Sequence, residues 1–302
     1  MYPDLAFRGS KLGESDAAGP PLKVGVQGTQ KIKVLANPDD VVGILAFRAA
    51  SSGAAISTGQ LVPPNVTVLG NSQGGAYLRI LDPTPGKDLL LGRTLIEVAP
   101  IASADIRPQT YQNDLSDMAF AADKSAKWVL FAGGTENVVV RLFDGSGNRL
   151  ADEGVFLGVS GPPLVLAGAQ PNWDTVDLMA TKNAGSQGTV KIRTSDAQNR
   201  DQNLDIVTAV DQIIRVDATG ATTDPSTPVK VGDMRTYCFR AMNNSRLVAG
   251  VTWLPPALAN AVAAATSQAK NCVTITGTTS GTGILTVTAE NFPKTFTLNF
   301  TR

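Results

Sequence analysis

Histidine is absent from this chain of 302 residues. Because histidine is the commonest general base and the commonest metal ligand, its absence argues against most hydrolases and metalloenzymes. The two cysteines, Cys238 and Cys272, are too few to supply a four-ligand zinc site. No G-x-S-x-G elbow marks a nucleophile among the serines. We therefore predict a protein that is not an enzyme, with no catalytic residue, metal site or cofactor.

Three further features that would define a partner or a location are missing. Lys plus Arg and Asp plus Glu each number 26, so the positive charge that dominates binding to nucleic acid is not in excess. No run approaches the roughly 18 to 20 apolar residues that cross a bilayer. The first 22 residues carry mixed charge and prolines where a secretory signal has a basic and then an apolar region. We predict no nucleic acid partner, no membrane partner and no export signal.

The sequence is rich in strand-like runs. Short segments of Val, Ile, Thr and Leu recur between clusters of Gly, Pro, Asn, Asp and Ser, a pattern typical of sandwiches and barrels. One immunoglobulin-like sandwich takes about 100 residues, so the length fits three of them. We predict an all-β chain of tandem immunoglobulin-like β-sandwiches with an extended N-terminal arm. The arm spans 1–22, and the sandwiches span 23–100, 101–210 and 211–302.

Helical spacing occurs at two places. Apolar residues within Asn113–Trp128 fall at helical intervals, which indicates a short helix or a loop there. The alanine-rich segment Pro256–Lys270 is predicted to be a connection with one or two helical turns.

Two acidic features resemble functional motifs but favour a structural interpretation. Asp144–Asn148 could be taken for a calcium loop, yet it lacks the length and the downstream acidic residue of an EF-hand, so we predict a hairpin turn. Asp152 and Glu153 are adjacent carboxylates. Since neighbouring residues on a strand point to opposite faces, they do not form a glycosidase pair by themselves.

Ordered sequence motifs mark the last two sandwiches. In the third, Val251-Thr252-Trp253, Val273–Gly277 and Gly283–Ala289 follow the order of the group 2, or intimin-type, bacterial immunoglobulin-like domain, which this sandwich resembles. In the second, Phe143–Leu150 and Val155-Phe156-Leu157 resemble the group 1, or invasin-type, domain. The resemblance implies a sandwich fold, and such domains occur in bacterial surface adhesins and in tailed-bacteriophage virion proteins.

The absence of a recognisable export signal decides our prediction between these two settings. We predict a structural or accessory protein of a tailed-phage virion, located in the virion and assembled in the host cytoplasm. Capsid decoration, neck or collar, and tail or baseplate all remain open. Its partners would be other virion proteins, in a homo-oligomer or in multiple copies, with a host surface glycan or receptor as a further candidate. The alternatives are a bacterial surface adhesin or carbohydrate-binding module, and an accessory region of an enzyme.

Five apolar residues are candidates for partner binding. Tyr2, Leu5, Phe7 and Leu12 are spaced so that an extended arm could lay them into grooves or add a strand to a neighbouring sheet. A tail without a role is the alternative. Trp173 lies among turn residues, where contact with a partner and local packing are equally expected.

The remaining tryptophan and the cysteines are assigned to the third sandwich. Trp253 is predicted to pack in the core, as a tryptophan on the third strand of such a sandwich usually does. Cys238 and Cys272 are expected on strands that run side by side. Cytoplasmic synthesis favours free thiols, although a disulfide between them stays open.

Overall fold

The computed structural model describes residues 5–9, 22–36, 47–84, 86–109, 128–152, 155–160, 164–166, 175–182, 187–216, 227–260, 262–269 and 271–302. Over these residues the predicted fold class is confirmed. The described part of the chain is all-β, with 26 strands arranged as tandem immunoglobulin-like sandwiches. No helix in this part of the chain is long and apolar enough to cross a membrane.

The first sandwich consists of two four-stranded sheets. Its strands are β1 (Leu5–Gly9), β2 (Leu22–Gly25), β3 (Thr29–Ala36), β4 (Arg48–Ser52), β5 (Ile56–Val62), β6 (Asn65–Gly70), β7 (Gly74–Leu81) and β8 (Leu90–Ala99). Sheet A has the order β1-β3-β6-β5, and sheet B has the order β2-β8-β7-β4. Apolar side chains at alternate positions point inward from both sheets and form one core, as the two-residue period of a strand requires.

The N-terminal segment is extended, but part of it belongs to this sandwich. β1 pairs antiparallel with β3, from Leu5 opposite Ala36 to Gly9 opposite Ile32. β1 is thus an edge strand of sheet A, where we predicted an arm with little material for a core. Residues 1–4 and 10–21 lie outside the described residues.

The second sandwich contributes the next nine strands. They are β9 (Ser103–Pro108), β10 (Val129–Phe131), β11 (Thr135–Phe143), β12 (Arg149–Leu150), β13 (Phe156–Ser160), β14 (Leu164–Leu166), β15 (Thr175–Ala180), β16 (Gln187–Arg193) and β17 (Gln202–Val207). β12, β11, β15 and β14 form sheet C, with β9 also paired to β11. The core lies between sheet C and the sheet that contains β13, β16 and β17. The helix predicted within Asn113–Trp128 falls almost wholly on residues outside the described ranges.

The third sandwich contributes the last nine strands. They are β18 (Gln212–Val216), β19 (Val229–Lys230), β20 (Met234–Asn243), β21 (Arg246–Ala249), β22 (Trp253–Ala259), β23 (Ala263–Ala269), β24 (Cys272–Gly277), β25 (Gly281–Ala289) and β26 (Phe292–Thr301). The prediction of helical turns in Pro256–Lys270 is wrong, because this segment forms most of β22 and β23. β22 pairs with β25 and β23 pairs with β24, so alanines that favour a helix locally are held in strands by neighbouring backbone.

One sheet is continuous from the second sandwich into the third. It has nine strands in the order β13-β16-β17-β10-β21-β20-β24-β23, with β18 paired to β20. The central strand β10 runs parallel to β17 on one side and to β21 on the other. Leu130 packs into the second core, whereas Val129 packs into the third. Since successive strand residues point to opposite faces, the two cores lie on opposite faces of this shared sheet.

Candidate interaction surfaces

The structure describes two of the five predicted partner-binding residues. Leu5 and Phe7 lie on β1, and Phe7 is half-buried against the core of its own sandwich. Tyr2, Leu12 and Trp173 lie outside the described residues. A role of these residues in partner binding therefore stays a prediction.

Asp144–Asn148 forms the predicted hairpin turn between β11 and β12. Asp144 Oδ1 accepts hydrogen bonds from the backbone N–H groups of Ser146 and Asn148, both at 2.8 Å, and Oδ2 accepts one from the Asn148 amide at 2.8 Å. Burial alone would raise the pKa of Asp144, but the hydrogen bonds from Asn148 and Ser146 and the charge of Lys23 lower it below its usual value. Both oxygens of the carboxylate are thus used in hydrogen bonds within the turn. No group of three or more His, Cys, Asp or Glu that could hold a metal occurs among the described residues.

A buried carboxylate joins the first sandwich to the second. Asp152 is fully buried and accepts hydrogen bonds from the Ser195 hydroxyl at 2.6 Å, the Ser195 N–H at 2.9 Å and the Thr29 N–H at 3.4 Å. Beside it, Gly25 N–H donates to Ala151 O at 3.0 Å, and Ala151 N–H donates to Lys23 O at 2.9 Å. These contacts define the first junction.

An ion pair supports the first junction from the second sandwich. Arg200 and Asp196 lie 2.7 Å apart, and Arg200 also donates to the carbonyl of Ile101, where the chain leaves the first sandwich. Burial would raise the pKa of Asp196, but hydrogen bonds from Arg200, Thr194 and Gln198, with the charge of Arg200, lower it below its usual value.

The second junction, between the second and third sandwiches, has closer backbone contact. Glu136, which is 3% exposed, accepts a hydrogen bond from Gly250 N–H at 3.1 Å. A Cβ at Gly134 would lie 2.1 Å from the carbonyl oxygen of Gly250, so only glycine fits there without moving backbone. Together with the shared strand β10, these contacts join the two sandwiches along one sheet.

The cysteines form a disulfide, and our expectation of free thiols is wrong. Cys238 on β20 is directly opposite Cys272 on β24, with their Cα atoms 4.0 Å apart, so the predicted pairing of their strands is confirmed. Both side chains are half-buried.

Trp253 packs against the third core but is only half-buried. Its indole N–H is buried without a hydrogen-bond partner among the described residues. Trp128, which the sequence analysis did not single out, is 8% exposed in the second core and donates to Ile106 O at 2.9 Å. Trp128 in the second sandwich is therefore a core tryptophan in a fuller sense than Trp253 in the third.

The outer face of sheet B carries a group of residues that we name the arginine face: Tyr77, Arg79, Arg93 and Leu95. Ala76, Leu78 and Ile80 of β7 point into the core, so the residues between them point outward. On β8, Arg93 is directly opposite Arg79, and Leu95 is directly opposite Tyr77.

Two arginines stand directly opposite each other on the arginine face, and no described residue supplies an acidic partner for either. Among the described residues, neither Arg79 nor Arg93 forms an ion pair. Arg93 Cζ lies 4.9 Å from the centroid of the Tyr77 ring, which is 40% exposed. Glu97 further along β8 is bound to Lys23 at 3.0 Å. Like charges directly opposite each other destabilise a sheet, so this arrangement is one that stability alone does not favour.

Sequence reasoning missed the arginine face. Strand-like composition predicts strands, but it does not say which residues of two strands stand opposite each other. The register of β7 against β8, with an irregularity between Ile80 and Leu81, brings Arg79 and Arg93 together. Alternation of Ala76, Leu78 and Ile80 was the available signal that the arginine and tyrosine between them face outward.

Neither protein-family models nor curated proteins give a match to the chain. Among solved structures it is similar to FdeC, an adhesin of Escherichia coli, at 14% identity and a TM-score of 0.26, over 100% of this chain and 97% of that chain. It is similar to invasin, a bacterial integrin-binding protein, at 11% identity and a TM-score of 0.25, over 98% of this chain and 58% of that chain. SGBP-B of Bacteroides ovatus, solved with a mixed-linkage heptasaccharide, gives 12% identity and a TM-score of 0.25, over 98% and 70%. These are likenesses of fold alone, and they do not test the virion prediction.

Proposed function

We propose that this chain is a non-catalytic surface-binding protein, an adhesin or carbohydrate-binding module, that works in an oxidising compartment. The observation that carries the proposal is the disulfide between Cys238 and Cys272. Disulfides persist in extracellular and periplasmic proteins and at cell surfaces, and they are rare in the reducing cytosol. The half-buried bond lies on a sheet face, so a reductant could reach it.

The proposed architecture is an array of three sandwiches with boundaries at 23–100, 101–210 and 211–302, to the first of which β1 and Leu22 are added. Sandwich faces that are not covered by a neighbour are available for binding, and the joined second and third sandwiches would hold them in a defined orientation. In this role, no described residue has to act as a catalyst. The residues Tyr2, Leu5, Phe7, Leu12 and Trp173, and assembly into several copies, remain candidates for attachment to a partner.

The virion hypothesis remains a prediction, and it differs from the surface hypothesis in where the chain is exposed. In intact cells that make the protein, we expect externally added protease to degrade it while a cytoplasmic marker stays intact. We also expect the purified, fluorescently labelled chain to bind intact cells or their isolated polysaccharide. If the chain instead resists the added protease and leaves the cells only in particles that are released on lysis, the result would contradict the surface hypothesis and favour the virion hypothesis.

A further inference from the structure

We propose that the arginine face is a binding site for an acidic polysaccharide, with Arg79 and Arg93 holding one carboxylate or sulfate group of the polymer. This inference rests on the proposed surface-binding function and names its ligand class. A second class, acidic peptide, is treated as an outcome of the test.

The charge of the arginine face favours an anionic ligand. Arg79 and Arg93 stand directly opposite each other on antiparallel strands, and neither has an acidic partner among the described residues. Two guanidiniums side by side repel each other, and an anion between them would convert the repulsion into two charge-assisted interactions. The planar fork of arginine matches the oxygen atoms of carboxylates and of sulfated or phosphorylated groups.

The surface around the two arginines has room for a sugar ring. The guanidinium of Arg93 is 4.9 Å from the Tyr77 ring centroid, so it is held in place by stacking on the ring. On the far side of Tyr77 and Arg79, β4 places only Ser52 and Ala50 opposite them. These small side chains leave the face open, and the exposed part of Tyr77 and the half-buried Leu95 offer apolar surface for the C–H face of a sugar ring.

The backbone pairing of sheet B favours a polysaccharide over a peptide. β7 and β8 are the two interior strands of sheet B, so their backbone groups are already paired within the sheet. A peptide on this face could not add a strand, and its own N–H and C=O groups would lose water without gaining partners. A polysaccharide has no such backbone, and its hydroxyl groups can stay hydrated while one anionic group reaches the arginines.

The test measures binding of the full chain to four polymers: heparin as the sulfated probe, polygalacturonate as the uronate probe, neutral dextran, and poly-glutamate as the acidic peptide. We expect binding to heparin or to polygalacturonate, and the stronger of the two identifies the anionic group. We expect no binding to dextran and weaker binding to poly-glutamate. Arg79→Gln/Arg93→Gln should weaken the binding about a hundredfold, because two charge-assisted contacts are lost.

The matched control is Lys33→Gln/Lys294→Gln, which removes two positive charges from exposed positions on other faces. We expect it to weaken binding about threefold at most, through the loss of general attraction. The arginine double variant should melt at the same or a higher temperature than the parent, because it removes a like-charge pair. Four results would each overturn the proposal. Two concern the variants: a folded arginine variant that binds as well as the parent, or a control variant that loses as much affinity as the arginine variant. The other two are preferential binding to poly-glutamate and no binding to either acidic polysaccharide.

The surface hypothesis and this site can fail separately. If the chain is exposed at the cell surface but does not bind acidic polysaccharide, the ligand assignment is wrong and the proposed function stands. If the chain binds heparin through Arg79 and Arg93 but is found only in lysis-released particles, the site stands and the proposed function is wrong.

Discussion

The first sandwich and the pair formed by the second and third differ in how they are joined. The first has two four-stranded sheets of its own, and it contacts the second mainly through Asp152 and the backbone around Gly25. The second and third share a nine-stranded sheet that passes through β10. The first junction rests on local hydrogen bonds, whereas the second is part of a sheet and of two cores.

This difference indicates how motion and unfolding are distributed. Separating the second and third sandwiches would break the ladder between β10 and β21 and expose Val129, which is fully buried in the third core. Separating the first would break far fewer contacts between sheets. We therefore expect the second and third to unfold as one cooperative unit, and bending of the array to occur at the first junction.

The largest expected effect comes from removing the disulfide. Cys238→Ala/Cys272→Ala should lower the free energy of unfolding of the third sandwich by about 3 kcal/mol, because the bond closes a loop across 34 positions. If the second sandwich is coupled to the third, its protection against amide hydrogen exchange should fall as well. The first sandwich, which contains no cysteine, is the internal control. A loss confined to the third sandwich would break the proposed coupling.

Gly134→Ala tests the second junction directly. The added methyl group would lie 2.1 Å from Gly250 O, a backbone atom that cannot move without disturbing β21 and β22. We expect the free energy of unfolding to fall by roughly 2 to 3 kcal/mol. Urea denaturation measures it, with the fluorescence of Trp128 and Trp253 as the probe. Gly145→Ala is the matched control, since a Cβ there meets nothing within 4 Å. Equal stability of the two variants would show that the junction is looser than the structure has it.

Asp152→Ala tests the first junction. It removes the acceptor of the Ser195 and Thr29 hydrogen bonds, so we expect a loss of about 2 kcal/mol and a separate, earlier calorimetric transition for the first sandwich. Asp201→Ala, at an exposed position in the same sandwich, should have little effect. A single transition in both variants would mean that the first sandwich is as tightly coupled as the others.

The smallest expected effect is on how the stability of the protein depends on pH. Asp144 and Asp196 both lie near the first junction, and both have a lowered pKa. A carboxyl with a lowered folded-state pKa contributes stability above its unfolded pKa of about 4, and this contribution is lost as the pH falls through the folded value. Asp144→Asn/Asp196→Asn should therefore be less stable than the parent at pH 7, and the difference should shrink below about pH 4. A difference that grows with acid would contradict the assignment.

The sequence predicted the fold well because alternation of apolar residues is local information. Short runs of Val, Ile, Thr and Leu between turn residues were enough to predict the fold class, and the turn at Asp144–Asn148 follows from its glycines and asparagine. β10 could not be predicted, since three residues show no period and their partners Ile206 and Ala249 are distant in sequence. Pro256–Lys270 was mispredicted because its alanines favour a helix, and only pairing with β24 and β25 holds it in strands.

The candidate site was less predictable than the fold. The arginine face depends on which residues of β7 and β8 are opposite, and that register is set by the turn between them and by packing on sheet A. Asp152 was considered only as half of an acidic pair, because nothing local indicates that it accepts hydrogen bonds from Thr29 and Ser195. The prediction of free thiols depended on assuming synthesis in the cytoplasm, and the sequence of a sandwich does not determine its compartment.

The thiol state of the protein as it is made in its own cells tests the central claim most directly. Cells are lysed in the presence of an alkylating reagent, and the intact mass of the chain is measured before and after reduction. The surface hypothesis predicts no alkylation of Cys238 and Cys272 until the sample is reduced, and two alkylated cysteines afterwards. Alkylation of both cysteines without reduction would show free thiols in the native chain and would contradict the account.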